Sequence, residues 1–375
     1  GYEGESFGLE LLAVDDVEAA LQQLARELIQ INRPLIVGVT GSLGKTTTKE
    51  FISTLLEGKF TVGKTHLNYN TKLTYPITLL NRSGKEDVLV VEMGMTDPGD
   101  IDRLISIADP DIAVVTKIAW VHTANFPRGL EDIARFKADI FKSNRTKVCI
   151  FHHDLYNYPE AIDKIGAGKQ KVSFSLEDKT ADYFLSSQHY IDERGVRGPQ
   201  LTPPFNQAHI LHNFLAAVCV GRCLKIPFEE MRFSKLQLPK MRFEQLEKEG
   251  VVFINDAYNA NPDSVKAALA SIPNPAEGGK KIAVLGTMVA MGPSSEEIHR
   301  DVGRFAASVI DELFVIGDEA KAIREGFLEK NRVASHYNDL ESLSKALKQS
   351  MKKGDVVLVK GSRIMELEKL FNFLK

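Results

Sequence analysis

The residues best suited to chemistry lie in one short stretch, Val39-Thr-Gly-Ser-Leu-Gly-Lys-Thr-Thr-Thr48. Gly41 and Gly44 let successive backbone N–H groups turn inward around phosphate oxygens, and a helix expected to begin near Lys45 adds the positive end of its dipole. Ser42 and Thr47 belong to the same cradle. Lys45 can reach the β- and γ-phosphates, and the Thr46 hydroxyl can hold Mg²⁺. The longer consensus starts with a glycine where this chain has Val39, so the loop is a variant. A phosphate loop alone would fit a kinase, a motor or a switch GTPase. The remaining polar residues must decide.

Glu92, in Val91-Glu-Met-Gly94, follows an apolar run expected to neighbour the loop strand, which places its carboxylate to ligate Mg²⁺ directly or through water. His122 follows another such run, Ile112 to Val115. It is either an ordinary surface or core imidazole or a ligand to a second metal.

These residues need a scaffold. Asp15 to Gln30 carries apolar residues at helical spacing, and Leu35-Ile-Val-Gly-Val39 is a short buried strand that leads into the loop. Val88–Val91, Ile112–Val115, Val148–Phe151 and Val172–Phe174 repeat that strand pattern. The earlier ones are separated by segments long enough for crossover helices, which predicts a mostly parallel sheet covered on both faces. Residues 181–201 alternate and contain Gly195, Gly198 and Pro199, as antiparallel strands and turns do. After a helix over His209 to Cys223, four more apolar runs at Val251, Ile282, Leu313 and Val356 interleave with helical patterns. The fold class is therefore α/β, with a central phosphate-loop ATPase-like domain over 34–238 and a smaller Rossmann-like domain over 239–375. Residues 1–33 read as a remnant of, or linker from, a preceding domain.

Forty-seven Lys and Arg against 50 Asp and Glu leave a net charge of -3, so no bulk field favours nucleic acid or an anionic membrane. Cys149, Cys219 and Cys223 fit no zinc pattern and read as reduced core thiols. No apolar run approaches the roughly 20 residues that cross a bilayer. The expectation is a cytoplasmic, monomeric enzyme without a nucleic-acid partner.

With these residues in place, the sequence resembles the Mur ligases through nearly its whole length, and among them the branch that adds D-alanyl-D-alanine to a UDP-muramoyl-tripeptide. Thr40 to Thr47 matches the family's ATP loop, Asn68-Tyr-Asn70 with Pro76 to Leu80 matches the segment behind it, and Glu92-Met-Gly94 matches the magnesium glutamate. The resemblance implies that His122 serves a second metal position and that Lys137 is a carbamylated lysine carrying a carboxylate toward it. A bare ammonium beside Mg²⁺ would repel it, whereas a carbamate supplies anionic oxygens. By the same resemblance His209 and Asn213 match the family's His and adenine-contacting Asn, and Arg242 in Met241-Arg-Phe-Glu244 faces ATP. In Asn255-Asp-Ala-Tyr-Asn-Ala-Asn-Pro-Asp-Ser264, Asp256 and Tyr258 clamp the nucleotide. Asn259 and Asn261 shape the amine side, with His299 and Lys360-Gly-Ser-Arg363 also retained and Lys360 and Ser362 counted on the substrate side.

The implied reaction is amide ligation through an acyl phosphate. ATP and two Mg²⁺ ions activate a small-molecule or peptide carboxylate, and an amino acid or dipeptide supplies the amine. The chain departs from the family pattern at Leu43, Thr71, Thr74, Lys117, Gln207, Ile210, Thr287 and Ala290. The last two replace acids, which bears on recognition of a charged amine. Two alternatives stay open: a Mur-like ligase for an acid without UDP, and an ATP-binding homologue without turnover.

Overall fold

The computed structural model describes residues 12–120 and 125–374. His122 therefore lies outside the described residues. In the first part of the chain the strands are β1 Leu35–Thr40, β2 Val62–Lys64, β3 Val88–Glu92, β4 Ile112–Val115, β5 Val148–His152, β6 Gln170–Ser175, β7 Tyr183–Leu185, β8 Tyr190–Glu193 and β9 Val196–Gln200. The helices alongside them are α1 Val17–Gln30, α2 Lys45–Leu56, α3 Thr74–Leu80, α4 Asp100–Ile107, α5 Leu130–Lys137, α6 Pro159–Ile162 and α7 Ala208–Cys223. The second part adds β10 Glu244–Lys248, β11 Val251–Asn255, β12 Lys281–Gly286, β13 Glu312–Ile316, β14 Val333–Tyr337 and β15 Val356–Lys360. Its helices are α8 Pro262–Ala270, α9 Ser295–Val309, α10 Lys321–Leu328, α11 Leu340–Ser350 and α12 Leu370–Phe373.

Two sheets result. The first has nine strands in the order β2-β3-β1-β4-β5-β6-β7-β8-β9, and the second has six in the order β10-β11-β15-β12-β13-β14. The first is parallel from β2 through β7 and turns antiparallel at β8 and β9. In the second only β10 runs antiparallel to its neighbour. Strands β1, β3, β4 and β15 are buried almost throughout because helices cover both faces, and that is why they read as continuous apolar runs. Sequence patterning passes over β2, β10 and β14, and all three are edge strands. An edge strand has one neighbour and shorter or more polar faces, so it lacks that signature.

Helix α1 starts at Asp16, whose carboxylate accepts the Ala19 N–H at 3.0 Å, and buries Ala25 and Ile29. Helix α7 is buried from Ile210 to Gly221. It packs beside α2 and belongs to a hydrophobic cluster that runs from Val37 and Phe51 through Phe214 to Ile254, Val265 and Ala268. One apolar body thus spans both sheets, which burial of apolar area favours strongly. Helix α8 begins with a capping box: the Asn261 side chain accepts the Ser264 N–H at 2.9 Å, and the Asn261 N–H donates to Ser264 Oγ at 3.1 Å.

Helices α9 and α10 meet backbone to backbone at two glycines. A Cβ on Gly303 would sit 2.0 Å from the Ile323 carbonyl oxygen, and one on Gly326 would sit 2.0 Å from that of Arg300. Gly303→Val should therefore force the helices apart and cost about 1–3 kcal/mol of stability, as overpacking does. Thermal denaturation reads this directly, and an unchanged midpoint would contradict the close crossing.

Candidate functional site

The phosphate loop joins β1 to α2, so the first turn of α2 points its N–H groups at the end of the sheet. Gly41 has φ +141° and Gly44 φ +81°. A Cβ on Gly41 would meet Thr116 Oγ1 at 1.8 Å, and one on Gly44 would meet Asn213 Oδ1 at 1.9 Å. Both positions therefore require glycine, once for backbone conformation and once for space. The far side of the loop is pinned to the end of β4: the Ser42 N–H donates to the Lys117 carbonyl at 2.9 Å, and Thr116 Oγ1 donates to the Leu43 carbonyl at 2.5 Å.

Thr46 Oγ1 donates to Glu92 Oε2 at 2.8 Å, and Asn70 Nδ2 donates to the other carboxylate oxygen at 2.7 Å. The P-loop hydroxyl and the acid at the end of β3 thus converge, which is the oxygen donor pair a Mg²⁺ ion takes beside a triphosphate. Lys45 Nζ donates to the Gly41 carbonyl at 3.0 Å. Burial lowers its pKa, with Glu92 opposing and Arg242 adding to the shift. Among the described residues the Ser42 hydroxyl and Nε of Arg242 are buried without a hydrogen-bond partner, which suits them to donate to an anion.

The second sheet supplies the opposite wall. Arg242 Nη2 donates to Thr46 Oγ1 at 3.3 Å, while its guanidinium lies 3.9 Å above the Tyr258 ring, a cation–π contact that fixes its plane. Met241 and Phe243 on either side have φ of +57° and +58°, a left-handed conformation costing about 1–2 kcal/mol per residue. Carboxylates hold it: Glu244 accepts the Met241 N–H and Asp256 the Phe243 N–H, both at 3.1 Å. Asp256 also pairs with Lys360 at 2.6 Å, and Lys360 donates to the Asn259 carbonyl at 2.9 Å. Burial lowers the Lys360 pKa against the opposing pull of Asp256.

Between the walls lies a cleft of about 420 Å³ lined by residues of both sheets, among them Lys45, Glu92, Asn213, Arg242, Asp256 and Lys360. That volume fits a nucleotide-sized ligand. The glycines, the Thr46–Glu92 pair and the orphaned donors together fit ATP with Mg²⁺. Lys137 ends α5 and is buried, and among the described residues its Nζ makes no hydrogen bond. Desolvation first, and repulsion from Lys45 second, push its pKa well down.

Sequence reasoning brought Gly41, Ser42, Gly44, Lys45, Thr46, Thr47, Glu92, Asn213, Arg242, Asp256, Tyr258 and Lys360 to one region, and the structure gathers them there. One expected substrate residue, Ser362, is placed otherwise, and another, Asn261, has part of its side chain already engaged. Ser362 is fully buried and accepts the Val289 N–H at 3.0 Å, so it braces the loop after β12 instead of facing the cleft. Asn261 lines the cleft, but its side-chain oxygen is committed to capping α8. Asn259 lies exposed in the cleft lining. The departures at Leu43 and Lys117 turn out to bridge the loop to β4 through their backbones, so that pairing tolerates any side chain.

Sequence reasoning also missed supporting residues. Lys49 is fully buried and donates to the carbonyls of Thr65 and Leu67, each at 2.7 Å, which holds the segment delivering Asn70 to Glu92. Its immediate neighbours in sequence, Thr48 and Glu50, are polar, so no local pattern marks it as buried. Asp263 at the start of α8 accepts the Trp120 N–H at 3.1 Å across the two sheets, a contact no local pattern announces.

The chain matches two family models, the Mur ligase middle domain over residues 39–221 and the Mur ligase, glutamate ligase domain over residues 241–363. It is 35% identical to the UDP-N-acetylmuramoyl-tripeptide--D-alanyl-D-alanine ligase of Bacillus subtilis, covering 96% of this chain and 80% of that one. It is 31% identical to the enzyme of the same name from Synechocystis, over 94% and 77%. Among solved structures, a MurF ligase from Thermotoga maritima in complex with ADP superposes with a TM-score of 0.80 at 30% identity, over 97% and 84% of the two chains. MurF from Acinetobacter baumannii gives 0.84 at 27% identity, over 97% and 81%.

Asp256→Ala should leave the Lys360 amine buried without its carboxylate. The cost expected is about 3 kcal/mol, the low end for a broken buried pair, because the amine can shed its proton. Chemical denaturation together with nucleotide titration checks this, and unchanged stability and affinity would remove Asp256 from both roles.

Proposed function

Because the chain belongs to the Mur ligase family, we propose that it joins D-alanyl-D-alanine to UDP-N-acetylmuramoyl-tripeptide in peptidoglycan synthesis, spending ATP to do so. The observation that carries this reading is the cleft itself. It unites a phosphate loop and a metal-binding acid from one sheet with Arg242, Asp256 and Lys360 from the other. A kinase needs only the first set. The second set offers a place for a further substrate against the γ-phosphate.

Mg²⁺, when bound, neutralises phosphate charge; Thr46 and Glu92 would hold one ion, with His122 and a carbamylated Lys137 serving a second. Lys45 and Arg242 bind the triphosphate and stabilise the charge that shifts toward ADP as the tripeptide carboxylate attacks the γ-phosphorus. The product is an acyl phosphate. The dipeptide amine, delivered from the 239–375 side, attacks the acyl carbon, the carbon–oxygen bond to phosphate breaks, and the amine loses a proton. Inorganic phosphate leaves. Water would destroy the acyl phosphate, so closure of domain 34–238 on domain 239–375 is proposed to precede chemistry, with 238–243 as the hinge. ATP and a nucleotide-linked substrate place this reaction in the cytoplasm. Among the described residues no single helix is long and apolar enough to cross a membrane.

A neutral amine is the form that adds CO₂, and the lowered pKa of Lys137 supports the carbamate reading. Carbon-13-labelled bicarbonate should therefore give a carbamate signal that is absent in Lys137→Met. The signal and the turnover should both fall as pH drops through the depressed pKa, because protonation removes the nucleophilic lone pair. A wild-type protein with full activity and no carbamate signal would exclude the modification.

The reaction itself is tested by phosphate release that requires D-alanyl-D-alanine and the UDP-tripeptide together, with transfer of oxygen-18 from the labelled carboxylate to phosphate. Lys45→Ala and Glu92→Ala should each reduce that release by about 10²–10³-fold or more. Release that ignores the amine, or near-normal turnover in either variant, would sink the assignment.

A further inference from the structure

The cleft also carries a chain of polar side chains that the ligation steps do not use. His152 ends β5, Glu177 follows β6, and His212 lies in α7 immediately before Asn213. His152 Nε2 is 3.2 Å from His212 Nδ1, and His212 Nε2 is 3.1 Å from the Glu177 carboxylate. The Asp154 backbone N–H donates to His152 Nδ1 at 3.2 Å, which leaves the His152 proton on Nε2. The direction of the chain follows: His152 donates to His212, and His212 donates to Glu177. Burial, reinforced by His212, pushes the His152 pKa down to about 3, so that ring stays neutral. The His212 hydrogen bond holds the Glu177 carboxyl at about 2, so it stays anionic.

The three side chains place ligand atoms within 4.8 Å of one another, a donor set that a transition metal could also use. The hydrogen bonds argue otherwise. Each imidazole lone pair already accepts an N–H and each ring N–H already donates, so no pair of nitrogen lone pairs converges on one point.

The sheet order says which part of a nucleotide meets this chain. Glu92 ends β3 on one side of β1, whereas on the other side Lys117 follows β4, His152 ends β5 and Glu177 follows β6. Lys117, His212 and Glu177 all line the cleft. A triphosphate whose γ end meets Thr46 and Glu92 thus carries its base toward the β4–β6 side, past Asn213. Glu177 also accepts from Ser175 Oγ and the Leu176 N–H, at 3.2 and 3.3 Å. Its side chain is still 64% exposed, and a carboxylate has room for about four hydrogen bonds.

We propose that Glu177, oriented by His212 and His152, accepts the exocyclic 6-amino group of adenine and so selects ATP against nucleotides with a 6-oxo purine. A 6-oxo group sets an acceptor against the carboxylate, and a site built to accept a hydrogen bond rejects an analogue that cannot donate it. Glu177 is the contact. His212 and His152 are positioning residues. The proposal rests on the reading of this cleft as an ATP site.

The test is calorimetric binding of ATP and inosine triphosphate to the full chain, with phosphate release dependent on D-alanyl-D-alanine measured in parallel. The wild type should prefer ATP by about tenfold or more, the size of one charge-assisted hydrogen bond. Glu177→Gln, whose amide can donate as well as accept, should narrow the ratio to about threefold or less. His152→Phe should narrow it too, although that residue does not touch the nucleotide. No preference in the wild type, or an unchanged ratio in Glu177→Gln, overturns the proposal. An unchanged ratio in His152→Phe removes the positioning claim. Retained ATP preference without amine-dependent release would count against the ligase reading alone, and no ATP binding at all would sink both.

Discussion

Positive charge gathered in a cleft that removes it from water is the condition on which the rest of this protein depends. Lys45, Arg242 and Lys360 line one cavity, and Lys137 is buried close enough for Lys45 to depress its pKa. Desolvation is the leading cause of the lowered pKa at each of the three lysines. Such a cluster costs free energy until an anion arrives, and in a site of low effective dielectric that cost becomes attraction for a triphosphate. Among the described residues three acids offset it: Glu92, tied to Thr46 and Asn70; Asp256, tied to Lys360 and the Phe243 N–H; and Asp100, which opposes the shift at Lys137.

The architecture serves that cluster. Parallel strands place their carboxyl ends along one edge, and the loops after β1, β3, β4, β5 and β6 all open there. Helix α7 crosses beside α2 and brings Asn213 against Gly44 and His212 against Glu177. The same helix belongs to the apolar cluster that reaches β11 and α8, so the packing that joins the two sheets also aligns the two walls of the site.

The join is apolar in its core and strained at its edge. Met241 and Phe243 hold left-handed backbones on either side of Arg242, kept there by Glu244 and Asp256. Strain of this kind persists only where neighbours over-determine it. Because Asp256 holds both Phe243 and Lys360, the backbone beside Arg242 and the amine of Lys360 share one carboxylate on the same wall. A triphosphate that draws on Lys360 would loosen the same carboxylate that holds the Phe243 N–H.

The sequence alone determined the α/β class, the interior strands and the phosphate loop, because buried parallel strands and glycine-dependent turns impose patterns a few residues long. It determined as well that Glu92 and Asp256 follow apolar strands, since a strand end is a local feature. Only the tertiary structure decided that Ser362 braces a loop, that Asn261 spends its oxygen on a helix cap, and that Lys49 supports the segment carrying Asn70. The His152–His212–Glu177 chain was invisible for the same reason, its members being 60 and 35 residues apart along the chain. Hydrogen-bond partners across such distances are set by sheet order and helix packing, and neither leaves a trace in local spacing. The three edge strands stayed hidden because an edge needs no apolar run.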